Sequence, residues 1–580
     1  MGTRLARSSP RLSSRLPPSL LTGIVLILAS VSCEGPVAGR AGAADDGYNA
    51  VARHGMVVSV SAPASDVGLS ILKNGGNAVD AAVATAFALA VTHPAAGNIG
   101  GGGFMVIHPA MKGEPEVIDY RETAPAAATK TMFSRDDSLY GCKVVGVPGT
   151  VRGLALAHER FGKLPWKDLV MPAVKLAEDG FIVEKALASS LNGILASSRN
   201  LPELQRVYGA PSGTRRWRAG DRLVQKDLAA TLRVIALDGA DAFYQGPIAV
   251  KIVAEMKSGR GLISVDDLRG YRAQHRQPIH GTYRGYDVYA PPPASSGGIC
   301  LVEMLNILEN FDLKSQGRWS PRTVHLMIEA MRRAYCDRAR YLGDSAFTNI
   351  PAHLTTKEYG RKLAGEINRK RATRSGDLAP DVELAREGDS TTHFSVIDSD
   401  GMAVANTYTL ERGYGSRVVV KGAGFLLNDE MTDFNWRPGY TDRHGAIGTE
   451  PNQIAPGKRM LSSQTPTIVA RNGKVVLVTG SPGSRTIINT VLCVLINVID
   501  FDMDVRAAVD APRIHHPWFP DSVTFEGMES YPDLAKALRR MGHSIHNSSQ
   551  GDAHSIYVDP RTGEYSGAAD RRLAGSARGY

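Results

Sequence analysis

Cysteine is scarce, five in 580 residues, and Cys142, Cys300, Cys336 and Cys493 lie far apart without any C-x-x-C spacing. That excludes a zinc ribbon and a disulfide framework and leaves buried thiols as the simplest reading. Charge of one sign is never concentrated either. The formal balance is +9, and loss of Arg4, Arg7, Arg11 and Arg15 with a leader would bring it to +5. With no Lys/Arg block, a nucleic-acid partner is not indicated. No H-E-x-x-H accompanies His515-His516, so a structural role is preferred over a metal site. No G-x-S-x-G elbow is present. The glycines Gly100 to Gly103 run into a strand, with no Walker lysine after them, which excludes a phosphate loop and suggests close backbone packing.

Long apolar runs are missing after the N-terminus. The one early run, Leu20 to Val31, follows an Arg-bearing segment and has the length of a signal-peptide core rather than a membrane span. Export to the periplasm or the medium is the expectation, with residues 1–32 as signal. Cys33 is placed like the attachment cysteine of a bacterial lipoprotein, whereas Ser30 is atypical of that signal. Lipid attachment at Cys33 and conventional cleavage nearby both stay open. The remainder has the apolar and charged fractions of a globular chain, 43% and 22%, and is long enough for one large unit or several domains.

The pattern of elements is mixed. Met56 to Ser61 reads as a strand, Asn77 to Thr92 as an Ala-rich helix, and Phe104 to His108 as a second strand. Ser264 to Asp267 has capping-box character. From Val324, the residues Ile328, Met331, Tyr335 and Leu342 recur at helical spacing and are assigned to the core. Arg371 to Ser390 is charged, mostly non-apolar, and carries Gly376, Pro380 and Gly388, which reads as an exposed linker. Directly after it, Thr391 opens a strand to Ile397; Asp398 to Gly401 turns, and Met402 to Leu410 returns.

A linker that runs straight into a strand opening with threonine has a chemical meaning. A threonine hydroxyl needs an adjacent base. At a chain start its own α-amine can be that base, having a far lower pKa than lysine. Thr391 is internal, so the Ser390–Thr391 bond would first have to be cut, by attack of the Thr391 hydroxyl on the preceding carbonyl and hydrolysis of the ester. Hairpin pairing puts Thr391 opposite Tyr408 or, with an offset of one, Thr409. A hydroxyl there could orient the nucleophile. Gly480 to Arg485 follows a strand, Val475 to Val478, and opens the helix Ile487 to Ile499, so its N–H groups could receive an oxyanion. Arg121 could clamp a carboxylate.

In order along the chain stand Thr92-His93-Pro94-x-x-Gly97-Asn98-x-Gly100 to Phe104, Tyr120-Arg121-Glu122-x-x-Pro125, Val147-Pro148-Gly149-Thr150 and Pro291 to Gly298. Thr391-Thr392-His393-x-Ser395-Val396, Leu461-Ser462-Ser463 and Gly480-Ser481-Pro482-Gly483 follow. In these motifs the chain resembles the γ-glutamyltranspeptidases (glutathione hydrolases) of the N-terminal-nucleophile superfamily, from about Val51 to Tyr580. The resemblance implies an α+β fold, a four-layer αββα sandwich formed by two chains of one precursor, residues 33–390 and 391–580. It assigns Thr391 as nucleophile, Thr409 as its hydroxyl neighbour, and Gly483 with Ser484 to the oxyanion hole. Arg121, Ser462 and Ser463 would meet the glutamyl carboxylate, and Glu411, Glu430 and Asp433 the α-ammonium. Donors would be glutathione or other γ-glutamyl compounds, and acceptors water, an amino acid or a dipeptide. No cofactor or metal is implied. Pro438 to Pro456 would form a lid.

Three positions depart from the family pattern. Glu411 stands where Asn is usual, Ser484 replaces the second glycine of a Gly-Gly pair, and Gly567 to Asp570 matches only approximately. Two other readings are an acylase for another amide, such as a β-lactam side chain, and a non-catalytic surface lipoprotein.

Overall fold

The computed structural model describes residues 47–110, 113–134, 136–211, 213–379, 384–385, 391–441 and 446–580. The leader, Cys33 and Ser390 lie outside the described residues. So do the four residues 442–445 of the expected lid.

Fourteen strands build two sheets. In chain order they are β1 (Asn49–Ala52), β2 (Gly55–Ser59), β3 (Gly102–His108), β4 (Glu116–Asp119), β5 (Gln274–Arg276), β6 (Ile279–Tyr283) and β7 (Tyr286–Ala290). Then come β8 (Thr392–Asp398), β9 (Ala403–Thr409), β10 (Thr467–Arg471), β11 (Lys474–Thr479), β12 (Ser555–Val558), β13 (Tyr565–Ala568) and β14 (Ser576–Gly579). One sheet runs β14-β2-β8-β9-β3-β4-β5, the other β1-β13-β12-β11-β10-β7-β6. The helices that matter here are α1 (Ala62–Lys73), α2 (Ala78–Thr92), α3 (Gly297–Leu308), α4 (Pro321–Tyr341) and α5 (Thr486–Ile499).

Alternation along the strands sorts side chains into layers. Met56 and Val58 of β2, Phe104 and Val106 of β3, and Ile397 of β8 share one core cluster with Ile468, Val478 and Ile556 of the second sheet. The opposite faces, Val57, Met105, Phe394 and Val404, pack with α1 and α2. Val469 and Leu477 pack with α3, α4 and α5. The arrangement is therefore helix, sheet, sheet, helix, the four layers expected. Period-two counting along β8 and β9 puts His393, Ser395 and Thr407 on the inter-sheet side, on the same face as Ile397.

The expected helices and strands are present within a residue or two. Asn77 caps α2 reciprocally with Asp80, and Ser264 caps a short helix with Asp267. Ile328, Met331, Tyr335 and Leu342 are buried, and all four cysteines from Cys142 onward are free and buried. Among the described residues no helix is long and apolar enough to cross a membrane.

The linker departs from its expectation at its start. Ser375 is fully buried, not exposed. Its hydroxyl accepts from Arg332 at 2.7 Å, its N–H donates to Asp521 at 2.8 Å, and its carbonyl accepts from Trp518 at 2.8 Å. Local composition could not reveal partners that lie more than 40 residues away. Further on, Leu384–Ala385 pairs with Ala446–Ile447, a strand-to-strand contact between linker and lid region.

Candidate active site

The hairpin of β8 and β9 is set by Asp398, whose Oδ1 accepts the N–H groups of Asp400 and Met402, each at 3.0 Å. The register pairs His393 with Thr407 and Thr392 with Tyr408, so the next position outward sets Thr391 against Thr409. Of the two partners the turn allowed, the offset one is observed. Thr391 Oγ1 donates to Thr409 Oγ1 at 3.3 Å, and Thr409 Oγ1 also accepts the N–H of Glu411 at 2.8 Å.

Several motif residues of no evident role hold this pair in place. Asn98 donates to the Thr409 carbonyl at 2.9 Å, while its Oδ1 accepts from Gly101 N–H at 2.9 Å and Thr150 at 2.7 Å. A Cβ on Gly101 would stand 1.9 Å from that same carbonyl, so only glycine permits the approach. The ring of His393 meets Thr407 Oγ1 through Nδ1 at 2.8 Å and Ser395 Oγ through Nε2 at 3.1 Å. Burial, then His554, drives its pKa well below the usual value, so it is neutral. A Cβ on Gly480 would fall 2.4 Å from this ring. The nucleophile strand and the Gly480–Arg485 loop thus touch directly.

That loop carries Gly483 at φ +125 and Ser484 at φ +51, and α5 starts just after it. Ser484 lines the same small pocket as Thr391, Thr409, Arg121, Glu411 and Asp433. Ser462 and Ser463 complete its polar wall. Their loop is held by the Pro291–Gly298 segment. Ser296 donates to the Ser462 carbonyl at 2.6 Å, and Ser295 to that of Gln464 at 2.6 Å.

Arg338 was not anticipated. It lines the pocket, with Nε donating to Ser296 Oγ at 2.9 Å and Nη2 to Ser463 Oγ at 3.1 Å. The available signal was an arginine on the stripe of Met331, Tyr335 and Leu342, where a helix buries its face and a charge needs a reason.

The electrostatics are unusual. Arg121 is fully buried and pairs with Glu430 at 2.6 Å, with Asp433, and with Glu122 at 3.5 Å. Oxygens of Glu411, Glu430 and Asp433 lie within 4.8 Å of one another. Burial raises the Glu411 carboxyl well above its ordinary range, Asp433 adds to this, and Arg412 and Arg121 offset it in part. Glu430 is raised likewise, again first by burial. Glu122 is pushed up to about 8, by burial against the pull of Arg121. Burial thus favours the protonated forms within the cluster, against the pull of Arg121. A second buried group, His325, Glu329 and His543, is already engaged: the rings meet at 2.8 Å and Glu329 pairs with Arg333 at 2.7 Å. His515 meets Asn489 at 2.7 Å, and His516 meets Asp521 at 3.2 Å.

Residues 64–580 match the family model described as gamma-glutamyltranspeptidase. The chain belongs to that family. A glutathione hydrolase proenzyme of Escherichia coli (strain K12) is 45% identical over 568 residues, covering 96% of each chain. Among solved structures, a cephalosporin acylase from Bacillus halodurans superposes with a TM-score of 0.82 at 28% identity, covering 95% of this chain and 99% of that one. A γ-glutamyltranspeptidase from Helicobacter pylori gives 0.54 at 40% identity, over 57% of this chain and 96% of that one.

Proposed function

We propose that this transpeptidase-family chain is an exported, self-cleaving glutathione hydrolase and γ-glutamyltransferase with Thr391 as nucleophile. Residues 1–32 are the signal, with Cys33 the attachment point if a lipid is added, and 33–390 and 391–580 are the two chains of the mature enzyme. The observation that carries the reading is the Thr391–Thr409 hydroxyl pair, 3.3 Å apart, at one pocket with Arg121, Glu411, Asp433, Ser462 and Ser463.

In the precursor the Thr391 hydroxyl attacks the Ser390 carbonyl. The resulting ester is hydrolysed, and Thr391 gains a free α-amine. That amine, with an ordinary pKa of about 7.7–8.0, takes the hydroxyl proton during catalysis. Thr409 orients the attacking oxygen. The N–H groups at Gly483 and Ser484, at the start of a helix, receive the oxyanion. A γ-glutamyl amide leaves both α-charges free at one end. Its carboxylate meets Arg121 and the two serine hydroxyls, and its ammonium meets Glu411, Asp433 and, beneath them, Glu430. The γ-glutamyl ester then passes to water, an amino acid or a dipeptide, under a lid formed by residues 438–456.

An acylase for uncharged acyl groups is disfavoured, because such a group would leave these buried charges without a ligand partner. The test is intact mass and N-terminal sequencing of wild type and Thr391→Ala, with glutamate release from glutathione. Two chains, the smaller beginning Thr391-Thr392-His393, and an uncut, inactive variant are expected. A wild type that stays whole and releases no glutamate overturns the proposal.

A further inference from the structure

Among the described residues, neither the Gly483 nor the Ser484 N–H is engaged in a hydrogen bond within the protein. Each belongs to a planar trans peptide unit, so it points opposite to the carbonyl of the preceding residue. Both of those carbonyls are held. Ser481 is fully buried, and its hydroxyl donates to the Pro482 carbonyl at 2.7 Å. The direction of that proton is set from behind, because the Asp552 N–H, which can only donate, meets Ser481 Oγ at 2.9 Å. A Cβ on Gly551, at φ +68, would stand 2.7 Å from the same oxygen. Glycine there allows the chain to pass close behind the loop. The Gly483 carbonyl accepts the Thr486 hydroxyl at 2.8 Å and the Thr486 N–H at 3.0 Å.

We infer that Ser481 and Thr486 are positioning residues of the oxyanion hole: by holding the Pro482 and Gly483 carbonyls, their hydroxyls aim the Gly483 and Ser484 N–H groups at the charge that develops in acyl transfer. The inference rests on the proposed attack of Thr391 on a γ-glutamyl amide. In that attack the bond from Thr391 Oγ to the acyl carbon forms, and the carbonyl π pair moves onto oxygen, where the two N–H groups receive it. Donors fixed beforehand need no reorganisation at that moment, and this is the source of their effect. Gly483 by itself leaves both peptide planes free to turn, so the restraint must come from the side chains around it. A hydrogen bond onto a carbonyl also polarises the N–H of the same peptide unit and strengthens it as a donor. Neither Ser481 nor Thr486 lines the charged pocket, so both act through the loop.

The experiment follows the acylation burst of self-cleaved enzyme with a γ-glutamyl para-nitroanilide, in wild type, Ser481→Ala, Thr486→Val and Thr486→Ser. The limiting burst rate reports the transition state, and the half-saturating donor concentration reports the ground state. Loss of one aimed hydrogen bond should lower the limiting rate of Ser481→Ala by roughly tenfold. The half-saturating concentration should stay at its wild-type value, which a general distortion of the site would not allow. Thr486→Val should lose rate in the same way, and Thr486→Ser, which restores the hydroxyl, should recover it. If Ser481→Ala stays uncut, the two Thr486 variants decide. Wild-type rates in Ser481→Ala and Thr486→Val overturn the inference. So does a Thr486→Ser no faster than Thr486→Val, or a loss that appears in the half-saturating concentration instead of the rate. A wild type that releases no nitroaniline removes the proposed activity itself, whereas an active wild type with unaffected variants removes only the positioning role.

Discussion

Glu411 and Ser484, two of the positions that depart from the family pattern, hold left-handed backbone angles, φ +79 and φ +51. Asparagine and glycine enter that region at small cost, other side chains at a larger one. The usual residues at these sites therefore have a backbone reason as well as a chemical one. Replacing Ser484 by Gly should raise stability by about 0.5–1 kcal/mol, the left-handed cost less the extra chain entropy of glycine. Denaturant unfolding in the uncut Thr391→Ala background would read it; an unchanged midpoint counts against strain at Ser484. Glu411 makes a different prediction. A carboxyl raised on folding adds stability below its ordinary titration range and loses it as pH climbs toward the raised value. Donor ammonium favours the ionised form, so binding should expel a proton and tighten as pH rises, until the ammonium itself titrates. In Glu411→Gln the slope of log KM against pH should flatten above the ordinary carboxylate range. A slope equal to that of wild type would show that Glu411 does not change its protonation on binding.

At the scale of elements, the hairpin Thr392–Thr409 and the Gly480–Arg485 loop are joined through His393. Adding a methyl at Gly480 would force the ring, itself fixed by Thr407 and Ser395, to move. Gly480→Ala should cost about 1–3 kcal/mol, as overpacking does. If the proposed self-cleavage occurs, it should also slow, because the strand carrying Thr391 shifts relative to the Gly480–Arg485 loop. The fraction of cut chain against time reads this on a gel. Cleavage at the wild-type rate would mean that loop and strand adjust independently.

At the scale of the molecule, the proposed cut before Thr391 would divide neither sheet into halves. β2, β3, β4 and β5 precede the cut, while β8, β9 and β14 follow it, and they interleave in one sheet. The second sheet likewise mixes β1, β6 and β7 with β10 to β13. Ser375, from before the cut, is bound by Trp518 and Asp521 from after it. The two chains should co-elute in size exclusion without denaturant and unfold in one transition. Separation under native conditions would contradict the interleaved topology as the holding element.

Residue order alone determined the hairpin, its turn at Asp398–Gly401, the threonine that opens it, several helices, and the one capping box at Ser264–Asp267. Each of these depends on neighbours within a few positions, where periodicity and turn chemistry act. The strand pattern left Tyr408 and Thr409 as equal partners for Thr391, since one residue of offset is invisible locally; the packed register chose Thr409. Tertiary structure alone brought Arg338 of α4 to Ser463, Asn98 to the Thr409 carbonyl, and Ser375 to Trp518. It also buried Arg121 among three carboxylates, in the wall of the pocket that carries Ser462 and Ser463. Apart from that of Arg121 with its neighbour Glu122, those contacts span more than a hundred residues, and burial, which raises the Glu411 and Glu430 carboxyls, is a property of the closed core rather than of any segment.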